Sequence, residues 1–158
     1  MSHILGRIPK VFGIPSASIE PAVDLRGAFD NKRMQYNSTF LLGELLKVAP
    51  SEDSKLIGIT DQDLFIPVLT HVFGEAQLDG QVAVASCYRL RNSFYGRPDD
   101  PDTELKRLEK EVFHELGHTF NLKHCANYSC VMHSSTFVED IDVKNAEFCP
   151  TCFSLLER

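Results

Sequence analysis

The sequence predicts an α/β fold. Three observations carry this. Short, β-rich apolar runs stand at 55–60 and 81–90, apolar residues recur at helical spacing over 31–48, and a strongly capped helix opens at Asp100-Pro101. In chain order they alternate, as helices covering a sheet do. The 158 residues suffice for one domain with a real core, spanning 1–158. Hydrophobic residues at 43% and charged residues at 24% exclude a disordered chain. A formal charge of −6 excludes general binding to nucleic-acid phosphates. No apolar run approaches the ~18 residues of a membrane helix, and residues 1–10 lack the charged-then-apolar layout of a signal peptide. The expected compartment is therefore reducing, the cytoplasm, with neither nucleic acid nor membrane as a partner. Five cysteines there point to metal or catalysis before disulfides.

The elements follow in order. Ile4 to Ile8 reads as a first strand, ended by Pro9. Ile14 to Asp24 reads as loop, with Pro15 and Pro21. Asn31 to Val48 reads as a helix, since Phe40, Leu41, Leu45 and Val48 recur at helical spacing and Pro50 closes it. Lys55 to Thr60 is a short buried-type strand. Leu69 to Leu78 is a further apolar run broken by Gly74, and Asp79-Gly80 is a hairpin-type turn. Gln81 to Leu90 reads as the next strand, and Arg91 to Pro101 as polar turns. Asp100 then caps a helix with Pro101 at its first position, and Asp102 and Glu104 suit its positive end. This helix runs to about Phe120 and is followed by a cysteine-bearing tail of little periodicity.

The helix carries His114-Glu115-Leu116-Gly117-His118, the H-E-x-x-H signature of zinc hydrolases. At about 100° per residue, His114 and His118 lie within roughly 40° of each other, one turn apart. Both imidazoles can then reach one zinc ion. Glu115, displaced by about 100° from His114, flanks the metal as a base for water instead of binding it. Leu105, Leu108, Val112, Leu116 and Phe120 form an apolar stripe on the opposite side, which buries the helix and turns the histidines into a cleft. His124 would sit about 120° from His118 if the helix continued. It reaches the metal only if the helix breaks between them through a left-handed residue, and Asn121 stands at that point.

Cys125, Cys130, Cys149 and Cys152 form two pairs, C-x4-C and C-x2-C. Four thiolates so grouped match a closed structural zinc site, which would fix the tail and the segment after His124. Disulfides fit poorly with an odd cysteine count. A redox C-x-x-C would sit at the start of a βα helix, not near residue 150. Cys87 is left over, read as buried and inert within a strand.

His114, Glu115, His118, Asn121 and His124 resemble the metzincin pattern H-E-x-x-H-x-x-G-x-x-H, with Asn121 replacing the glycine. The cysteine directly after the third histidine, Cys130 shortly before Met132, and the terminal C-x-x-C narrow the resemblance to the archaemetzincins. That resemblance implies a metzincin-like fold: a twisted mixed sheet with an antiparallel edge strand, a backing helix, an active-site helix and a small irregular C-terminal lobe. The upper lobe would span about 1–121 and the lower about 122–158. Met132 would form the methionine turn beneath the metal, and His71 to Leu78 the edge strand. Gly74 within it marks a bulge, a close backbone approach or a plain bend.

The expected function is a zinc metalloprotease acting on a peptide or protein substrate. Two zinc ions are expected per chain, one catalytic on His114, His118 and His124 and one structural on the four cysteines. Glu115 is the expected general base and proton shuttle. The rival is a catalytically silent two-zinc binding module, against which an intact Glu115 argues. Hydrolysis of another amide or ester is a third reading. Tyr128 and Tyr95 are candidates for stabilising the oxyanion. His133 is read as a turn histidine or competing ligand, His71 as a substrate-lining residue, and His3 as inconsequential.

Overall fold

The computed structural model describes residues 2–156. Ser2–Phe12 is a helix, α1, not a strand. Ile4 and Ile8 are four residues apart and both are buried, which is a helical face. Pro9 sits inside the helix, and its missing N–H would leave the Leu5 carbonyl unpaired. The Ser16 hydroxyl donates to that carbonyl at 2.8 Å. The proline therefore does not end the element.

Residues 14–25 run without regular structure, as expected. The helix expected from Asn31 begins later. Asp30 folds its carboxylate onto the N–H groups of Lys32 and Arg33, at 2.8 and 3.0 Å, and Met34 takes a left-handed φ of 55°. This makes a tight hairpin between β1 (Phe29–Asp30) and β2 (Gln35–Asn37). Asn37 then caps α2 (Ser38–Lys47), its side chain accepting from Phe40 N–H at 3.1 Å.

β3 (Leu56–Thr60) and β6 (Val82–Ser86) form where the β-rich runs predict them. Between them lie β4 (Leu64–Phe65), which the sequence reading lacked, and β5 (Gly74–Ala76). The main sheet has the order β3-β6-β5, with β3 parallel and β5 antiparallel to β6. It is the expected mixed sheet with an antiparallel edge. β1, β2 and β4 form a second small sheet. β6 is buried at every position. Its Val82 and Val84 pack with Leu41, Leu42 and Leu45 of α2, whereas Ala85 joins the core under the long helix α3 (Pro101–Thr119). Leu108, Val112 and Leu116 of α3 are buried against that core, so the other side of the helix faces β5 and the tail.

The tail holds more regular structure than its composition suggests. α4 (Val138–Val143) and α5 (Pro150–Leu156) are each short. Asp140 secures the start of α4 by accepting from the N–H groups of Thr136 and Phe137, both at 2.8 Å. Arg107 of α3 binds Asp142 through two contacts of 2.7 Å, and Lys110 donates to the Ile141 carbonyl. The lower part is thus fastened to the long helix by charge as well as by packing.

Candidate metal centre and active-site cleft

α3 starts as the sequence predicts: Asp100 accepts from the Thr103 N–H at 3.2 Å and from its hydroxyl at 2.6 Å. Its end decides the site. Asn121 adopts φ 66°. Leu122 N–H then reaches back to the Gly117 carbonyl and Asn121 N–H to the His118 carbonyl, both at 3.0 Å. This is a Schellman-type cap, with asparagine in the position usually held by glycine. The reversal brings His124 back to the other two histidines. The ring centroids are 4.7 Å apart for His114 and His118, 5.3 Å for His114 and His124, and 5.0 Å for His118 and His124. One ligand atom from each lies within 4.8 Å of the others.

Two of the three imidazoles are oriented from behind. His114 Nδ1 donates to the Val131 carbonyl at 2.8 Å, and His118 Nδ1 to the Leu122 carbonyl at 2.7 Å. A carbonyl only accepts, so each Nδ1 carries the proton. Each neutral ring then presents a lone pair at Nε2, and these two atoms face each other at 3.1 Å. Burial holds all three imidazoles below the usual histidine range, with the nearby Lys144 charge acting in the same direction. Neutral rings with converging lone pairs repel each other unless a cation sits among them. The donor set fits zinc.

Glu115 is buried beside this cluster. Burial, then the Glu111 charge, pushes its carboxyl well above the usual carboxylate range. Its place depends on Gly74 of β5. A Cβ on that residue would fall 2.6 Å from Glu115 Oε1 and 2.7 Å from the Val84 carbonyl oxygen. Gly74 therefore marks a close approach, one of the readings its sequence position allowed. Together β5 and α3 wall a cleft of about 380 Å³, lined by Gly74, Glu75, Ala76 and Leu78 opposite the three histidines and Glu115. A larger cavity of about 510 Å³ lies between α1, residues 14–25 and β3. It is lined mainly by aliphatic side chains and holds none of the histidines.

Met132 is fully buried beneath the second turn of the H-E-x-x-H segment. A Cβ at Gly117 would stand 2.5 Å from its Sδ, so the glycine before His118 makes room for the methionine. The segment carrying Met132 is pinned by Cys125 N–H donating to the Met132 carbonyl at 2.9 Å. Cys125, Cys130, Cys149 and Cys152 form a second group whose sulfurs lie within 4.8 Å of one another. Cys149 N–H donates to Cys130 Sγ at 3.3 Å, and Asn127 N–H to Cys125 Sγ at 3.4 Å. Backbone hydrogen bonding, chiefly from Cys152, holds the Cys149 thiol down to about 7, while burial raises those of Cys130 and Cys152. Four sulfurs supported by backbone N–H groups also suit a tetrahedral soft cation.

The profile of peptidase family M54 matches residues 10–158. The chain belongs to peptidase family M54. The archaemetzincin of Methanocaldococcus jannaschii is 38% identical over 149 residues, covering 94% of this chain and 80% of the relative. The crystal structure of archaemetzincin from Methanopyrus kandleri superposes with a TM-score of 0.88 at 34% identity, covering 99% of this chain and 83% of that one. A zinc-dependent peptidase from Methanocorpusculum labreanum superposes with a TM-score of 0.86 at 29% identity, covering 98% and 91%. The archaemetzincin resemblance and the metzincin-like fold are both borne out, and the chain is a metallopeptidase of family M54.

Other candidates in this M54 chain fall outside the cleft. His133 Nδ1 donates to the Cys125 carbonyl at 2.9 Å, and the ring packs on Tyr128. It is not in the histidine group. Tyr95 donates to the Arg89 carbonyl, and neither tyrosine lines the cleft. His71 packs edge-on against Phe73 and is not among the lining residues. His3 contacts Glu109 at 3.1 Å. Cys87 lies just beyond β6 and is only half-buried, because the strand ends at Ser86. Three residues of consequence had no sequence signal of their own: Glu75 in the cleft wall, and the buried pair of Glu111 and Lys144. Among the described residues no helix is long and apolar enough to cross a membrane.

Proposed function

We propose that this M54 chain hydrolyses peptide bonds with Glu115 as general base. In this reading His114, His118 and His124 hold a catalytic zinc, and Cys125, Cys130, Cys149 and Cys152 a structural one. The observation that carries it is the pair of facing Nε2 lone pairs 3.1 Å apart, with a buried carboxylate on the next residue of the same helix. Zinc held by such a donor set polarises a carbonyl and lowers the pKa of water toward about 7.

The chain's own residues account for the rest. Among the described residues no strand pairs with the outer edge of β5, which borders the cleft. An extended peptide would add to it as a further strand. Gly74 keeps that strand close to Glu115. Glu115 takes a proton from the attacking water and passes it to the departing amine nitrogen. The Val131 and Leu122 carbonyls keep the proton on Nδ1 of His114 and His118, leaving Nε2 free. Residues 1–158 act as one catalytic domain, with its upper lobe at about 1–121 and its lower lobe at about 122–158. A zinc site built from four thiolates suits the reducing cytoplasm.

Purified protein and its Glu115→Gln variant, each assayed for zinc and offered a complex peptide mixture, test this reading. Two zinc ions in both proteins and cuts by the parent alone support it. Peptide binding without cleavage by the zinc-loaded parent would instead identify a two-zinc binding module.

A further inference from the structure

Lys144 is fully buried, which is rare for a lysine. It follows α4 and points under α3. Its Nζ lies 2.9 Å from Glu111 Oε1, in an ion pair off the ideal hydrogen-bonding direction, and donates to the His133 carbonyl at 3.3 Å. The Glu111 side chain is almost equally buried. Glu111 stands one turn before His114 and Glu115 on α3, whereas His133 directly follows Met132. The ammonium thus bridges the helix that carries two of the histidines and the loop that passes beneath them.

That loop also orients His114, since the Val131 carbonyl accepts from His114 Nδ1. Residues next to Lys144 clamp the same loop. Asn145 N–H donates to the Ser129 carbonyl at 3.0 Å, and Val131 N–H to the Glu147 carbonyl at 2.9 Å. The backbone clamps fix the loop to its neighbouring strand of chain. The Lys144 contact with Glu111 joins the His114 bond to Val131 in tying it, through side chains, to the face of α3 beside the histidines.

We infer that Lys144 is a positioning residue for the catalytic centre, setting the height of the 130–133 loop, and so of the Val131 carbonyl, beneath His114. Buried ion pairs contribute little net stability, because desolvation offsets the attraction. Replacing both partners by neutral groups of similar shape should therefore leave the fold standing while releasing the loop. The inference rests on the histidine cluster being the catalytic metal site; the zinc content of the parent tests that reading separately.

The experiment compares the zinc-loaded parent with Lys144→Met and with Glu111→Gln/Lys144→Met. Thermal unfolding, zinc release to a chelator and peptide cleavage are measured for each. The single variant strands a buried carboxylate and is expected to be less stable. The double variant is expected to unfold cooperatively near the parent Tm. It should release one zinc about 10–100-fold faster, as loss of a supporting contact behind a ligand does, and should lose kcat with KM unchanged. The second zinc should leave at the parent rate. A double variant with the parent's zinc-release rate overturns the inference. So does a double variant that no longer folds, since the pair would then be a folding element and not a positioning device.

Discussion

Asn121 and Gly74 each do something at the site that their chemistry alone explains. Asn121 holds φ 66°, the backbone turn that returns His124 to the cluster. Alanine there meets the left-handed penalty of about 1–2 kcal/mol. Asn121→Ala should lower Tm by several degrees and weaken zinc binding at the histidines, and Asn121→Gly should be tolerated; equal behaviour of the two variants by calorimetry and zinc titration would contradict this. Gly74 lacks the Cβ that would meet Glu115. A displacement of about 1 Å in a catalytic group costs roughly a hundredfold in rate. Gly74→Ala should lose that much kcat while keeping its zinc, and parent-like turnover would show that Glu115 does not depend on this contact. Both residues were legible in the sequence. A left-handed break was required at 121 by the angle to His124, and a glycine inside a strand asks for a reason. Lys144 was not legible, because its meaning lies in a partner 33 positions away and in burial that no local pattern announces.

At the scale of elements, α3 was readable because it states its own limits: Asp100-Pro101 at one end and Asn121 at the other. The Asp100 carboxyl is held below the usual range, first by the Thr103 hydroxyl and then by its backbone N–H. A depressed folded pKa means that its support is complete above the unfolded pKa and fades as pH falls through the folded value. Asp100→Ala should lower Tm at neutral pH through loss of the cap. The difference in Tm from the parent should shrink as pH drops below the carboxylate range; a pH-independent difference would mean that the cap does not act through its charge. Within α1, Pro9 reads in the sequence as a stop, and the Ser16 hydroxyl that satisfies the freed Leu5 carbonyl leaves no periodic signal. β1, β2 and β4 are two or three residues long, too short to show a period. α4 and α5 are nearly as short, and tertiary ties to α3 hold α4 where periodicity does not reveal it.

Across the whole molecule, β5 and α3 wall the cleft, and the turn at Asn121 brings His124 to it. The tail folds around four cysteines with little apolar periodicity of its own. Metal binding in such a segment acts as folding free energy. Cys149→Ser should bind one zinc fewer than the parent and melt several degrees lower, with His124 and Met132 losing their fixed positions. An unchanged metal content and Tm would remove the structural role of this group. The architecture as a whole was legible because motif and fold agree: the same histidines that define the chemistry require a helix, a break and a returning loop. The single measurement that bears most directly on the account is cleavage of a peptide mixture by the parent and by Glu115→Gln at matched zinc content, read by mass spectrometry. The account predicts cuts by the parent and none by the variant. Equal cleavage by both proteins would contradict it by removing Glu115 from the reaction.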